Sequence, residues 1–162
     1  MRVMTAPSEF DVAAVYRRRV GSVYRLCFAY LRCRADAEDA VQETFVRLIR
    51  SAPIFQSAAH EEGWLIRTAI NICKDALKRA LRRHETAAVD PVQTEPEVDA
   101  TLGAVLALPD KHKAVVYLYY YEGYATGEIA ALLEERPSTV RNRLADARAL
   151  LRRNLGGGFD AK

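Results

Sequence analysis

The stretch DAEDAVQETFVRL, Asp36 to Leu48, decides how the rest of the chain is read. Val41, Phe45 and Leu48 recur at helical spacing, which predicts an amphipathic helix from Asp36 to Arg50 with these residues facing a core. Asp39, Gln42 and Glu43 then lie on the opposite face. Asp39 and Glu43 are a like-charge pair four residues apart, which costs an isolated helix about 0.2–0.5 kcal/mol. Part of this acid has a plain explanation. Asp36 can cap the helix, and acids in a first turn complement its dipole, which covers Asp36, Glu38 and Asp39. Gln42 and Glu43 lie beyond that turn, and Val46 continues the same stripe as an apolar residue. Periodicity leaves two readings open, a solvated acidic face or a surface that docks on a partner.

Working outward, charge falls in blocks. From Arg67 to Arg83 the basic residues are Arg67, Lys74, Lys78, Arg79, Arg82 and Arg83, with Asp75 against them. From Glu85 to Asp99 the sign inverts: Glu85, Asp90, Glu95, Glu97 and Asp99 appear with no Lys or Arg. Pro91 and Pro96 interrupt that acidic stretch, and it has no sustained apolar period, so it reads as a linker. The expected architecture is all-α: two small helical domains joined by an acidic linker, with a helix-turn-helix in the second. The boundaries are 7–83 for the first domain, 84–97 for the linker and 98–156 for the second. Strand signals are absent.

The first domain reads as three helices, roughly Ser8 to Arg34 with Ser8 as a cap, Asp36 to Arg50, and Glu61 to Arg83. Turning the third at 100° per residue puts Leu65, Ala69, Ile72, Cys73, Ala76, Leu77 and Ala80 on one side. Arg67, Asn71, Lys74, Asp75, Lys78 and Arg82 lie on the other. Trp64 heads the polar stripe, just after the polar loop Ser51 to Gly63. An aromatic at the end of a basic track suits stacking of unpaired bases beside bound phosphates; equally, the loop can fold over Trp64 and bury it.

The second domain reads as a short helix Val98 to Leu108, a helix Asp110 to Glu122, one from a Thr126 cap through Leu133, and one from Pro137 to Leu155 ended by Gly156. Ala130 and Val140 sit where a helix-turn-helix places small and branched packing residues. Glu134 occupies the turn position where glycine is frequent. In the last helix Val140, Leu144, Ala147 and Leu151 face inward. Ser138, Asn142 and Ala145 face outward, with Arg141, Arg148 and Arg152 along one flank, a composition that fits insertion into a major groove. The tyrosines Tyr117, Tyr119, Tyr120, Tyr121 and Tyr124 suit core and interdomain packing better than base stacking.

The chain has 162 residues, half of them hydrophobic, and a net charge of +3. That permits a nucleic-acid partner without requiring one. Cys27, Cys33 and Cys73 are odd in number and lack metal-ligand spacing, so reduced thiols are expected, with no metal and no cofactor. The start MRVMTAPSEF lacks the apolar run of a signal peptide, and AVVYLYYY, Ala114 to Tyr121, is too short to span a bilayer. A cytoplasmic protein with no membrane insertion is expected. No catalytic constellation is visible: no paired carboxylates in an apolar setting, no nucleophile with its base, no phosphate-cradling glycine loop. An enzyme is therefore not expected.

The segment DAEDAVQETF resembles the one by which sigma factors of the extracytoplasmic-function group dock on the clamp helices of bacterial RNA polymerase. GWLIRTAINICKDALKR, Gly63 to Arg79, is similar to that family's promoter-melting segment. LPDKHKAVVYLYYYEGYATGEIAALL, Leu108 to Leu133, followed by STVRNRL, resembles its C-terminal promoter-binding domain. The matches run in the family's order from about Phe10 to Leu155.

The resemblance implies core RNA polymerase as partner, held by Asp36, Glu38, Asp39, Gln42 and Glu43. It implies promoter DNA, duplex and melted, as a second partner. The minus-ten candidates are Phe55, Gln56, Ser57 and His60 in the loop, which captures a flipped nucleotide, with Trp64 and the helix residues Asn71, Lys74, Asp75, Lys78 and Arg79. For the minus-thirty-five element they are Arg136, Ser138, Thr139, Arg141 and Asn142. Phosphate contact is expected of Arg148, Arg152 and Arg153. The resemblance implies an anti-sigma factor as a further partner and a path for the linker toward the polymerase active-site channel. The alternative from another class is a stand-alone helix-turn-helix regulator.

Overall fold

The computed structural model describes residues 9–84, 103–105 and 107–155. The described residues are helical, and no strand occurs among them. Three helices form the N-terminal part: α1 (Glu9–Leu31), α2 (Arg34–Ser51) and α3 (Ala58–His84). In the C-terminal part residues 103–105 are helical, followed by α4 (Asp110–Val116), which runs on as a π-helical turn, Tyr117–Tyr121. Then come α5 (Thr126–Leu133) and α6 (Pro137–Leu155). The linker beyond His84, the Ser8 cap, and most of the short helix expected at 98–108 lie outside the described residues.

The first core forms because the apolar stripes of α1, α2 and α3 close on one another. Val23, Leu26, Cys27 and Tyr30 come from α1, Ala37, Val41, Phe45 and Leu48 from α2, and Leu65, Ala69, Ile72 and Cys73 from α3, all buried. Thr44 is fully buried in this stripe, and its hydroxyl donates to Ala40 O at 2.7 Å, so that hydroxyl is not left unpaired. The second core centres on Val115, Val116, Leu118, Ile129, Val140, Leu144, Ala147 and Leu151. The inward face of α6 is the one periodicity gives.

Several boundaries shift for local reasons. The N-cap of α2 is Cys33, not Asp36; Asp36 lies in the first turn, where its charge still complements the dipole without a capping bond. α3 starts at Ala58 rather than Glu61, because Ser57 caps it: Ser57 Oγ accepts the His60 N–H at 3.1 Å. His60 is therefore a helix residue. Thr126 is the first residue of α5 and Ala125 its N-cap, with the Glu128 side chain accepting the Ala125 N–H at 3.3 Å. The helix expected to run evenly from Asp110 to Glu122 widens at its tyrosines, where the Glu122 N–H reaches Tyr117 O at 3.2 Å.

Glu134 adopts φ 55°, so the turn of the helix-turn-helix is left-handed although its residue is not glycine. The Glu135 N–H closes the end of α5 on Ala130 O at 2.9 Å. Forcing a side chain with a Cβ into this region costs roughly 1–2 kcal/mol, which the buried packing of Ile129, Ala130 and Val140 offsets.

Candidate functional site

Three surfaces carry the candidate residues, one on α2, one at the start of α3, one on α6. On α2 the burial of Ala37, Ala40, Val41, Thr44, Phe45 and Leu48 leaves Asp36, Glu38, Asp39 and Gln42 exposed. Glu43 is part-exposed and ion-paired with Arg47 at 3.3 Å, one turn on. That pair answers Glu43 within the helix and relieves its repulsion with Asp39. The acids border a groove between α1 and α2 lined by Tyr16, Val20, Tyr24, Asp39, Gln42 and Ile49. Tyr16 and Ile49 are large apolar residues 46% and 59% exposed, beside carboxylates rather than in the core. Sequence reasoning missed both. The available signal was an isoleucine directly after the core residue Leu48 and so off the buried stripe.

The loop between α2 and α3 brings its candidates together. Phe55 meets His60 edge-on at 5.4 Å and Trp64 at 6.0 Å. The Gln56 N–H donates to His60 Nδ1 at 3.2 Å, which fixes the imidazole with that nitrogen as acceptor. Trp64 is half-buried beside Phe55, so the loop covers part of the ring and leaves part exposed. Gln56, Ser57 and His60 are exposed around it.

Arg18 and Arg19 of α1 pin this junction. Arg18 donates to both carboxylate oxygens of Glu61 at 3.1 and 3.2 Å, and Arg19 Nε to Glu61 Oε1 at 3.1 Å. Arg19 also lies 3.6 Å from Glu62 and donates to Ala58 O at 3.4 Å. Glu61 is buried, and a buried carboxylate is tolerable because two guanidiniums pair it. These partners lie more than 40 positions apart in sequence, so local periodicity gave no sign of them.

Along α3, Asn71, Asp75, Lys78 and Arg79 are exposed and Lys74 half-buried, a polar stripe as expected. Arg67 departs from it: its Nη1 donates to Leu132 O at the end of α5 at 2.8 Å, and its Nε lies 3.8 Å from Glu134. Ile66 and Ile70, which a single apolar face does not include, are buried. Ile66 lines a cleft shared with Val23, Tyr117 and Tyr124, so the C-terminal part covers it.

Arg136, just before α6, and Ser138, Arg141 and Asn142 on it are exposed, and Thr139 is half-exposed. Arg152 and Arg153 are exposed further along. Arg143 pairs with Glu135 at 3.2 Å and braces the turn. Arg148 Nε donates to Tyr120 Oη at 2.9 Å, with the guanidinium over the Tyr119 and Tyr120 rings at 5.8 and 6.0 Å. In this arrangement Arg148 is held against the tyrosine cluster. The cluster packs only in part as expected: Tyr117 is buried and Tyr124 hydrogen-bonds Glu62 of the N-terminal part, whereas Tyr121 is 45% exposed.

Between the two parts, Lys113 is buried with its ammonium 5.2 Å from the Tyr30 ring centre and 4.0 Å from Asp110. Burial pulls its pKa below the ordinary lysine value despite that carboxylate. Burial pushes the phenols of Tyr30, Tyr117 and Tyr124 well up. The three cysteines are free thiols; Cys27 and Cys73 are buried, and Cys73 is pushed up by its hydrogen bond with Cys27 and by burial, which keeps it unreactive. Among the described residues no group of three or more His, Cys, Asp and Glu side chains is placed to hold a metal. No described helix is long and apolar enough to cross a membrane.

Comparison with known proteins finds two family models that match successive stretches of the chain. The family model for sigma-70 region 2 matches residues 15–83, and that for sigma-70, region 4 matches residues 99–151. SigM of Mycobacterium tuberculosis, an ECF RNA polymerase sigma factor, is 33% identical over 150 residues, covering 88% of this chain and 76% of its own length. SigL of the same organism, also an ECF sigma factor, is 31% identical over 154 residues, with coverage of 88% and 87%. Among solved structures, the sigma factor RpoE of Bartonella quintana, in complex with the anti-sigma factor NepR, superposes with a TM-score of 0.70 over 92% of this chain and 99% of its own. At 17% identity that likeness speaks to the fold.

Proposed function

The chain belongs to the extracytoplasmic-function sigma factors, initiation factors that direct bacterial RNA polymerase to promoters, and from that premise we propose how its surfaces divide the work. The acidic face of α2, with Asp36, Glu38, Asp39, Gln42 and Glu43, docks on core polymerase, and the groove beside it adds Tyr16 and Ile49 as apolar anchors. The observation that carries this reading is that α2 buries a complete apolar stripe and still presents carboxylates and an apolar groove together. Charge gives orientation and on-rate; the apolar anchors give residence.

The pocket of Phe55, Gln56, Ser57, His60 and Trp64 takes a base flipped from the minus-ten element, while Asn71, Lys74, Asp75, Lys78 and Arg79 follow the adjoining strand. Flipping costs a few kcal/mol, within reach of one stacked aromatic and several phosphate contacts, so melting needs no nucleotide hydrolysis. Arg136 before α6 and Ser138, Thr139, Arg141 and Asn142 on it enter the major groove at the minus-thirty-five element, and Arg152 and Arg153 touch phosphates. Arg148 reaches a phosphate by leaving Tyr120. The factor works in the cytoplasm with polymerase and promoter DNA, and an anti-sigma factor restrains it. The different-class alternative, a stand-alone helix-turn-helix regulator, draws no support from the matched relatives.

Run-off transcription with purified core polymerase on a promoter library tests this. Initiation from a defined promoter class is expected, with Asn142→Ala changing which upstream elements are used. No initiation from any template would refute the reading, and an unchanged preference would place upstream recognition elsewhere.

A further inference from the structure

The pocket assigned to the flipped base is built from residues that the core does not hold. Gln56, Ser57, Ala58, Ala59 and His60 are exposed, as is Ile54 at the head of the loop. Phe55 and Trp64 pack against the core only in part. Burial therefore does not fix the pose of these side chains. Glu61 stands between His60 and Trp64 in the first turn of α3, and it is buried. Its carboxylate accepts from Arg19 Nε at 3.1 Å and from Arg18 Nη2 at 3.1 and 3.2 Å, while Arg19 Nη2 also donates to Ala58 O at 3.4 Å. Both arginines come from one turn of α1, a helix anchored in the core by Val15, Val23 and Leu26. The start of α3 is thus tied to α1 at two points, Glu61 and Ala58.

A buried ion network adds little stability over an apolar contact, because pairing must first offset the loss of water around each charge. What it supplies is direction, since the planar fork of a guanidinium meets a carboxylate in few geometries. We propose that Glu61, gripped by Arg18 and Arg19, is a positioning residue for base capture: it sets the first turn of α3 at the angle where His60 and Trp64 meet Phe55, so that the pocket is formed before DNA arrives. The role rests on the base capture proposed above. A preformed pocket loses no stacking energy to ordering the loop, so affinity for the melted strand depends on three side chains that touch no nucleotide.

Glu61→Gln on the full chain separates placement from charge. Removing a carboxylate beside a DNA surface should by electrostatics alone tighten binding; lost placement should weaken it. The probe is a single-stranded oligonucleotide carrying the minus-ten sequence that run-off transcription selects. The readout is emission from Trp64, the one tryptophan of the chain. Wild type should respond to the strand. Glu61→Gln should bind it about tenfold more weakly, the share of one stacked base, and should emit further to the red when free because the ring loses cover. Arg19→Lys keeps the charge without the fork and should fall between the two. Affinities for core polymerase and for a duplex minus-thirty-five element should match wild type in both variants. Should Glu61→Gln unfold, Arg19→Lys decides by the same readings. Strand binding and emission equal to wild type would overturn the positioning role, and so would an equal loss toward all three partners, the mark of a general loss of fold. If wild type responds and the variants match it, the clamp alone fails; if wild type gives no response to the strand, base capture at this pocket fails with it.

Discussion

α2 and α6 are helices of similar length, 18 and 19 residues, that handle charge in opposite senses on the same plan. Each buries an apolar stripe and turns outward a face on which one sign predominates, acidic at the start of α2 and basic along α6. They differ in how much of that charge the fold itself uses. On α2 one acid, Glu43, is paired, and Asp36, Glu38 and Asp39 have no ion pair among the described residues. On α6, Arg143 braces the turn and Arg148 is held by tyrosines, while Arg141, Arg152 and Arg153 are exposed with no ion pair among the described residues. A row of like charges is therefore not a uniform surface. Each side chain must be assigned by what it touches, and only those the fold does not occupy are available to a partner.

The contrast breaks most sharply between the faces of one helix. Leu144→Ala, on the buried face of α6, should cost about 3 kcal/mol and lower the melting midpoint by several degrees. Arg141→Ala, one turn away and exposed, should leave the melt unchanged and lower the salt slope of promoter binding by about 1. Should Arg141→Ala melt like Leu144→Ala, the division into used and available charge would be wrong.

On α2 the double variant Asp39→Ala with Glu43→Ala should keep its melting midpoint, because repulsion and the Arg47 pair are lost together. Its affinity for core polymerase, measured by pull-down or fluorescence, should fall at least tenfold, about 1.4 kcal/mol. Retained affinity would move docking off this face.

A smaller effect separates the turn from the helices it joins. Glu134→Gly removes a Cβ from a left-handed position and should add about 1 kcal/mol of stability, less the weak 3.8 Å contact with Arg67. Chemical denaturation would detect it, and a loss would mean the Arg67 contact outweighs the strain.

Alkaline pH should loosen both parts together. Tyr30, Tyr117 and Tyr124 have folded pKa values raised above the ordinary 10.0, so their contribution is whole below that pH and is lost as pH climbs beyond it. Lys113 has the opposite sign, its burial penalty easing as pH rises toward 10.5, but one amine stands against three phenols. Melting midpoints should therefore fall above pH 10, after the smaller gain that Lys113 gives below it; a rise continuing past pH 10.5 would refute the role of the phenols.

What the sequence made legible follows from range. The inward face of α6 and the packing role of Ala130 and Val140 are local properties of a 3.6-residue period, and the structure has them. The α2 stripe was equally plain. Glu61 was opaque because its partners Arg18 and Arg19 come from another helix, and Ile66 because the domain that covers it is remote in sequence. Tyr16 and Ile49 look like core residues to any scale that counts apolarity; the register of the Leu48 stripe puts Ile49 outside, and for Tyr16 the finished three-helix packing decides it.

The widened turn at Tyr117–Tyr121 holds one residue more than a regular helix needs over the same rise. A chain lacking one of those five residues would wind as ordinary α-helix over the same rise and keep nearly the same rotational phase downstream, because five residues of the wider turn sweep about the angle of four α-helical ones. If all five wound as α-helix instead, everything downstream would turn further by about a quarter turn, carrying Glu122 off Arg25 and Tyr124 off Glu62. The widening thus absorbs one tyrosine and holds the phase of the C-terminal part against the N-terminal one, and deletion of a single residue here should leave the two parts coupled.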